Sequence, residues 1–280
     1  MACAAVQVAL ETVPRSGSAS QNGPAGHGPD AAPQAPEAAT RRQRLHHLLE
    51  RRRPPRQGRP ALEHGAFADG SSWNGVIADL RADGYPVVAA ALRTVLDHVK
   101  GPKILVGHSY GGNVISQAAT DDPEVKALVY VAAFLPAPGE SALELTEKYP
   151  GSKLPGTLDP VTYQQADGST ATDLYIQQDK FPHQFAADVP GQQAALMGAE
   201  QRPIAQAALE EKATTAAWKT KPSWDIVTTR DLNIPAAVQR FMAERAHAHT
   251  TEVAASHSVA VSHPHLVADV IERAARATVR

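Results

Sequence analysis

The run Lys103-Ile104-Leu105-Val106-Gly107-His108-Ser109-Tyr110-Gly111-Gly112 constrains this chain more than any other. A short, continuous apolar run is what a strand covered on both faces requires. A helical pattern from Asn113 to Thr120 comes directly after it. Ser109 therefore falls on a tight strand-to-helix turn, with Gly107 and Gly111 two residues to either side so that the backbone can bend without collision. A hydroxyl held there projects from the carboxyl edge of a sheet, beside the unpaired amides of a helix N-terminus, which stabilise negative charge. G-x-S-x-G in that context marks a nucleophilic serine rather than a plain glycine-rich turn.

The rest of the chain supplies the sheet that such a turn needs. Ala127 to Val131 is a second continuous apolar run, Tyr85 to Ala89 and Trp224 to Thr228 read as further strands, and Thr250 to Ala254 as a weaker one. Helical periodicity covers Trp73 to Arg81, Leu92 to Val99, Asn113 to Thr120, Ala236 to Ala246 and His265 to Ala277, the last with Ser262 and Pro264 placed to start it. Alternating elements of this kind build a mostly parallel sheet with helices on both sides, an α/β fold. Pro136 to Pro222 breaks the rhythm with prolines and scattered aromatics, and it is too long for a single connection. It is expected to be an inserted cap over a site.

Charge divides the chain. Residues 1–60 carry nine Arg, no Lys, four acidic residues and no aromatic side chain, so the net −2 of the whole is a +5 tail joined to a −7 body. The tail is expected to be disordered, because its Ala, Pro, Gly, Ser and Arg cannot bury enough apolar surface to offset the entropy of ordering it. The acidic body, residues 61–280, argues against nucleic acid as a partner. No apolar run reaches the ~18 residues of a membrane span and no positively charged leader precedes one, so a cytoplasmic protein is expected. A single cysteine, Cys3, excludes an intramolecular disulfide and cysteine-rich metal or redox motifs.

With these residues in place the chain resembles the α/β-hydrolase superfamily, and within it the small esterase group that includes plant methylesterases, hydroxynitrile lyases and bacterial homologues. The resemblance rests on His64 to Trp73, the Ser109 turn, Leu128 to Phe134, Arg240 to Arg245 and Ser256 to Pro264. It implies a Ser, acid, His order along the chain. Asp231, just past the strand ending at Thr228, and His257, past the next strand, match the family's acid and base. Asp225 is the rival acid but sits at the start of its strand, and His263 and His265 are rival bases beside the last helix. The resemblance further implies an oxyanion hole from the backbone N–H groups of Ala66 and Tyr110. Phe67 and His108 are assigned to the substrate pocket, with the Tyr110 ring as a second wall. Trp73 and Trp224 fall in apolar patterns and read as core. No cofactor or metal is called for, and the implied activity is hydrolysis of a small-molecule ester. Ser258 stands where hydroxynitrile lyases carry Lys, which favours ester hydrolysis over carbon–carbon lysis.

One block departs from the family. Immediately before the His-Gly loop, members have a β-branched apolar strand in the middle of the sheet, whereas this chain has Pro54-Pro55-Arg56-Gln57-Gly58-Arg59-Pro60-Ala61-Leu62-Glu63. Prolines, arginines and a glycine are poor material for a central strand. The sequence thus predicts that this strand is missing, and with it arises a second reading: a catalytically impaired remnant or ligand-binding protein that keeps a hydrolase pocket.

Overall fold

The computed structural model describes residues 58–279 apart from 90, 91, 93–95 and 97. The Arg-rich tail up to residue 57, with Cys3, lies outside the described residues, as does half of the helix expected over 92–99. Nine strands are described: β1 (Arg59–Glu63), β2 (Val88–Ala89), β3 (Lys103–His108), β4 (Val125–Val131), β5 (Leu158–Gln164), β6 (Thr170–Ile176), β7 (Ile204–Ala205), β8 (Ser223–Thr228) and β9 (His249–Val253). Six of them form one sheet in the order β2-β1-β3-β4-β8-β9, every pair parallel. Their carboxyl ends therefore share one edge, and the loops after β1, β3, β8 and β9 meet there, where open α/β sheets bind ligands.

Because alternate residues of a strand face opposite sides, the sheet feeds two cores. Ala61, Leu105, Leu128 and Tyr130 pack against Ile115, Val238 and Met242 on one face. These come from helices α2 (Tyr110–Ala118) and α4 (Ala236–Arg245). Leu62, Ile104, Val106, Val129 and Ile226 pack on the other face against Val76, Leu80, Val270 and Ile271, together with Trp73 and Trp224. These helices are α1 (Asn74–Ala82) and α5 (Pro264–Thr278), the latter with Pro264 in its first turn. No helix among the described residues is long and apolar enough to cross a membrane.

The expectation of a missing central strand is overturned. β1 lies between β2 and β3, pairing Ala61 with Val88 and Arg59 through Glu63 with Lys103 through Gly107. Successive N–H groups along a strand point to opposite neighbours. The Arg59 amide bonds the Pro102 carbonyl at 2.8 Å, on the β3 side, so the donor that Pro60 lacks would point toward β2. There, among the described residues, the ladder touches Ala61 and Leu62, with β2 beginning at Val88 opposite Ala61, and no bond to Pro60 is lost. Its two buried apolar residues, Ala61 and Leu62, supply one to each core.

The segment between β4 and β8 makes its own structure, in place of a single loop. β5, β6 and β7 form a small antiparallel sheet. With α3 (Gly191–Glu200) and the short helix Phe181–Phe185 it closes a third apolar cluster, in which Phe181, Phe185 and Ile176 meet Phe67 and Ala68 of the loop after β1.

Asp225 conflicts with its surroundings. It is 1 % exposed on β8, opposite Tyr130, and neither carboxyl oxygen has a hydrogen-bond partner. Burial drives its pKa well above the ordinary 3.8, a rise that the nearby Ile226 amide offsets only in part. An acid whose folded pKa lies above its unfolded value favours folding fully below the unfolded pKa, and that advantage is lost as pH climbs toward the folded one. Stability is therefore expected to fall from about pH 4 upward on this account, and Asp225→Asn to remove the slope. Urea denaturation at pH 5 and pH 8 is expected to show the variant gaining on the parent by about 1–3 kcal/mol at the higher pH.

Candidate functional site

Ser109 follows β3 and precedes α2 with φ 53° and ψ −121°, a strained conformation for a residue with a Cβ. Neighbouring glycines make the turn possible by close approach. A Cβ on Gly107 would stand 2.5 Å from the Gly111 carbonyl oxygen, and one on Gly112 would stand 2.4 Å from that of Phe134. On the facing loop a Cβ on Gly65 would come within 2.6 Å of the Ser109 Cβ. The helix begins at Tyr110 rather than at Asn113, so the residue after the serine is the helix's first and its N–H belongs to the unpaired set.

His257 follows β9 and is 1 % exposed. Its Nδ1 lies 2.7 Å from Asp231 Oδ2. A carboxylate can only accept, so Nδ1 carries the proton and Nε2 is left as the basic nitrogen. Asp231 in turn is fully engaged: Oδ1 accepts from the amides of Asn233 and Ile234 at 2.7 and 3.0 Å, and Oδ2 from Thr228 Oγ1 and Gln239 Nε2, both at 3.0 Å. Five donors, counting His257, fix the carboxylate in place. Asp225 is remote from this arrangement. His263 bonds the Ser262 hydroxyl, and His265 is 87 % exposed and paired with Asp79.

Ser109 and His257 line one apolar cavity of ≈ 50 Å³ together with Ala66, Phe67, Tyr110, Phe134, Leu143, Leu209, Ile234 and others. The Phe67 amide is occupied, donating to the Arg202 carbonyl at 3.0 Å, whereas among the described residues no backbone partner takes the Ala66 amide. The Tyr110 hydroxyl donates to the Ala208 carbonyl at 3.0 Å, which holds its ring in the wall. No group of three or more His, Cys, Asp or Glu among the described residues is placed to hold a metal ion.

His108 is a correction: it does not line the cavity. It is 3 % exposed, its ring perpendicular to those of Trp73 and Phe185, and its Nε2 donates to the His257 carbonyl at 2.9 Å. Burial first, then the neighbouring imidazole, pushes its pKa down to about 3, so it stays neutral. The period-2 rule carries the signal, since His108 falls on the face of Ile104 and Val106, under Trp73. Asp188 and Gln239 could not be found in the same way. Asp188, in the insertion, accepts from both the amide and hydroxyl of Ser256, next to His257, and the Phe185 carbonyl accepts from the Ser258 hydroxyl at 3.0 Å. Burial works to raise the Asp188 pKa, but the Ser256 bonds overcome it and hold the carboxyl below its ordinary range.

The Alpha/beta hydrolase family profile matches residues 25–270. The chain belongs to that family. A carbendazim hydrolyzing esterase from Nocardioides sp. (strain SG-4G) is 32% identical over 112 residues, covering 31% of this chain and 46% of that protein. The match thus spans about half the length of that curated relative. The crystal structure of a pyrethroid hydrolase from Sphingobium faniae JZ-2 superposes with TM-score 0.64 at 26% identity, covering 79% of this chain and 98% of that one. A methylesterase from Arabidopsis shares the fold at TM-score 0.64 and 18% identity, over 77% of this chain and 98% of its own.

The His108 bond generates a prediction. His108→Phe keeps the ring but removes the donor, leaving the His257 carbonyl buried and unpaired, at a cost of about 1–3 kcal/mol in urea denaturation. Reaction of Ser109 with a fluorophosphonate is expected to slow in the same variant, and His108→Gln, which restores an N–H, to recover part of both.

Proposed function

We propose that this protein is a serine hydrolase that cleaves a small, uncharged carboxylic ester through an acyl-enzyme, with Ser109 as nucleophile, His257 as general base and Asp231 as the acid that orients it. One observation carries the reading: a strained serine shares an apolar cavity with a buried histidine whose far nitrogen bonds a carboxylate at 2.7 Å. In this mechanism His257 Nε2 takes the Ser109 proton as Oγ attacks the ester carbonyl. The amides of Ala66 and Tyr110 hold the oxyanion, and a helix N-terminus behind Tyr110 adds to their field. His257 then returns the proton to the departing alcohol. A water molecule, deprotonated by the same nitrogen, attacks the acyl-enzyme, and the acid leaves as Ser109 recovers its proton.

The similarity to proteins described as an esterase and a pyrethroid hydrolase supports an ester as substrate. The cavity supports an uncharged one, because apart from the imidazole no ionisable side chain other than the Tyr110 phenol lines it. The insertion between β4 and β8 acts as the cap, pinned to the base by Asp188 and Phe185. The remnant reading loses its ground with β1 in place. A hydroxynitrile lyase is disfavoured, since Ser258 turns its hydroxyl to the Phe185 carbonyl and supplies no cation.

A fluorophosphonate is expected to label the purified protein at Ser109, with no label in Ser109→Ala. In His257→Gln labelling and the hydrolysis of p-nitrophenyl acetate are expected to fall on the order of 10⁴-fold or more. The parent's rate is expected to drop in acid, because an imidazolium cannot accept the serine proton. A folded protein that never labels sinks the proposal.

A further inference from the structure

On the far side of Phe67 from the catalytic cavity lies a second, larger compartment of ≈ 320 Å³, between the loop after β1 and helix α3 of the insertion. Among the described residues Phe67 is the one that lines both spaces. Its ring is 4 % exposed and meets the edge of Phe185 at 6.4 Å. Its backbone sits at φ 58° and is tied by its amide to the Arg202 carbonyl. The ring is thus a wall held by apolar contact on a fixed stem.

The two sides differ in chemistry. The inner cavity is mostly apolar and has no carboxylate in its lining. The outer compartment presents Asp69, Ser71, Gln193, Glu200 and Gln201, with Leu196 at 57 % exposure on its rim, and no basic side chain lines it. Asp69 accepts from the Ser71 amide and hydroxyl at 2.8 and 2.6 Å, bonds that hold its carboxyl below the usual range and keep it an anion. Arg202 acts on Asp69 at a distance but is outside the lining. A carboxylate entering this space would face two of its own sign, while a hydroxyl, amide or ammonium finds acceptors.

Resting on the ester-hydrolase reading, we propose that Phe67 is a specificity-determining partition of the substrate site. Its ring closes the apolar cavity against the acid-lined compartment and so restricts the enzyme to esters with short apolar limbs. The compartment behind it, where Ala68, Met197 and Val261 stand beside the two carboxylates, accommodates a neutral or cationic limb and opposes an anionic one.

The test compares the parent with Phe67→Ala and Phe67→Leu, the second guarding against a fold damaged by full truncation. Two ester series are used, p-nitrophenyl esters of six-carbon acids and acetate esters of six-carbon alcohols, each with the far end hydroxyl, trimethylammonium or carboxylate. Each rate is taken relative to p-nitrophenyl acetate. In at least one series kcat/KM for the hydroxyl and trimethylammonium limbs is expected to rise about tenfold or more over the short ester in Phe67→Ala, and less in Phe67→Leu. The carboxylate limb is expected to gain little, and Glu200→Gln in the Phe67→Ala background to shrink the lead of trimethylammonium over hydroxyl. Relative rates unchanged in both series, or an equal gain for the carboxylate, overturn the proposal. A parent protein that hydrolyses no short ester and takes no fluorophosphonate label refutes the ester reading instead.

Discussion

The backbone of Ser109 is the constraint on which the rest depends. A residue with a Cβ at positive φ costs about 1–3 kcal/mol and persists only where its surroundings over-determine it. Here they do. The Ser109 amide bonds the Val131 carbonyl at 3.2 Å, and its own carbonyl accepts from Gly112 at 3.0 Å and Phe134 at 3.1 Å. β4 thus braces the turn through its own sharp exit, where Ala132 also adopts positive φ, 46°. Substituting any of Gly65, Gly107, Gly111 or Gly112 places a Cβ within 3.0 Å of backbone or of the serine itself, so the strain is locked by contact rather than by one strong bond.

The imidazole is governed by electrostatics instead. His257 is buried between rings, 4.8 Å from both His108 and Phe185, where a positive charge is costly unless paired. Asp231 supplies the pair, and its remaining lone pairs are filled by amides, a hydroxyl and the Gln239 amide. His108 contributes by staying neutral. A neutral ring with Nε2–H turned to the His257 carbonyl holds the loop without adding a charge beside the second imidazole. Polar groups that hold His257 and its neighbours are drawn from β3, β8, α4 and the insertion, so the insertion is tied to the loop that carries the imidazole.

Much of this is legible in the residues. Apolar runs such as Ile104 to Val106 and Ala127 to Val131 identify buried parallel strands because both faces must be covered. The glycine spacing around Ser109 identifies the turn because close approach admits no side chain. Asp231 and His257, singled out by the family resemblance and by their places after strands, do meet, because parallel strands deliver the loops at their carboxyl ends to one edge. Pro60 misleads, since the cost of a proline depends on which neighbour its missing donor faces, and here it faces the β2 side one residue before that ladder begins at Ala61. The start of α2 lies three residues ahead of its helical pattern for a related reason: glycines weaken such a pattern locally, yet Tyr110, Gly111 and Gly112 are held helical by packing against β1 and the β4 exit.

By itself the sequence determined the parallel α/β order, the strained serine turn and the strand ends from which an acid and a histidine emerge, because periodicity and steric exclusion are local. Only the tertiary structure decided which groups complete the site. Asp188 reaches Ser256 across 68 residues and Gln239 reaches Asp231 from a separate helix. His108 bonds the His257 carbonyl instead of lining the cavity, and Phe67 stands between two compartments. These roles depend on direction and distance between elements far apart in the chain, which hydrophobic pattern does not encode.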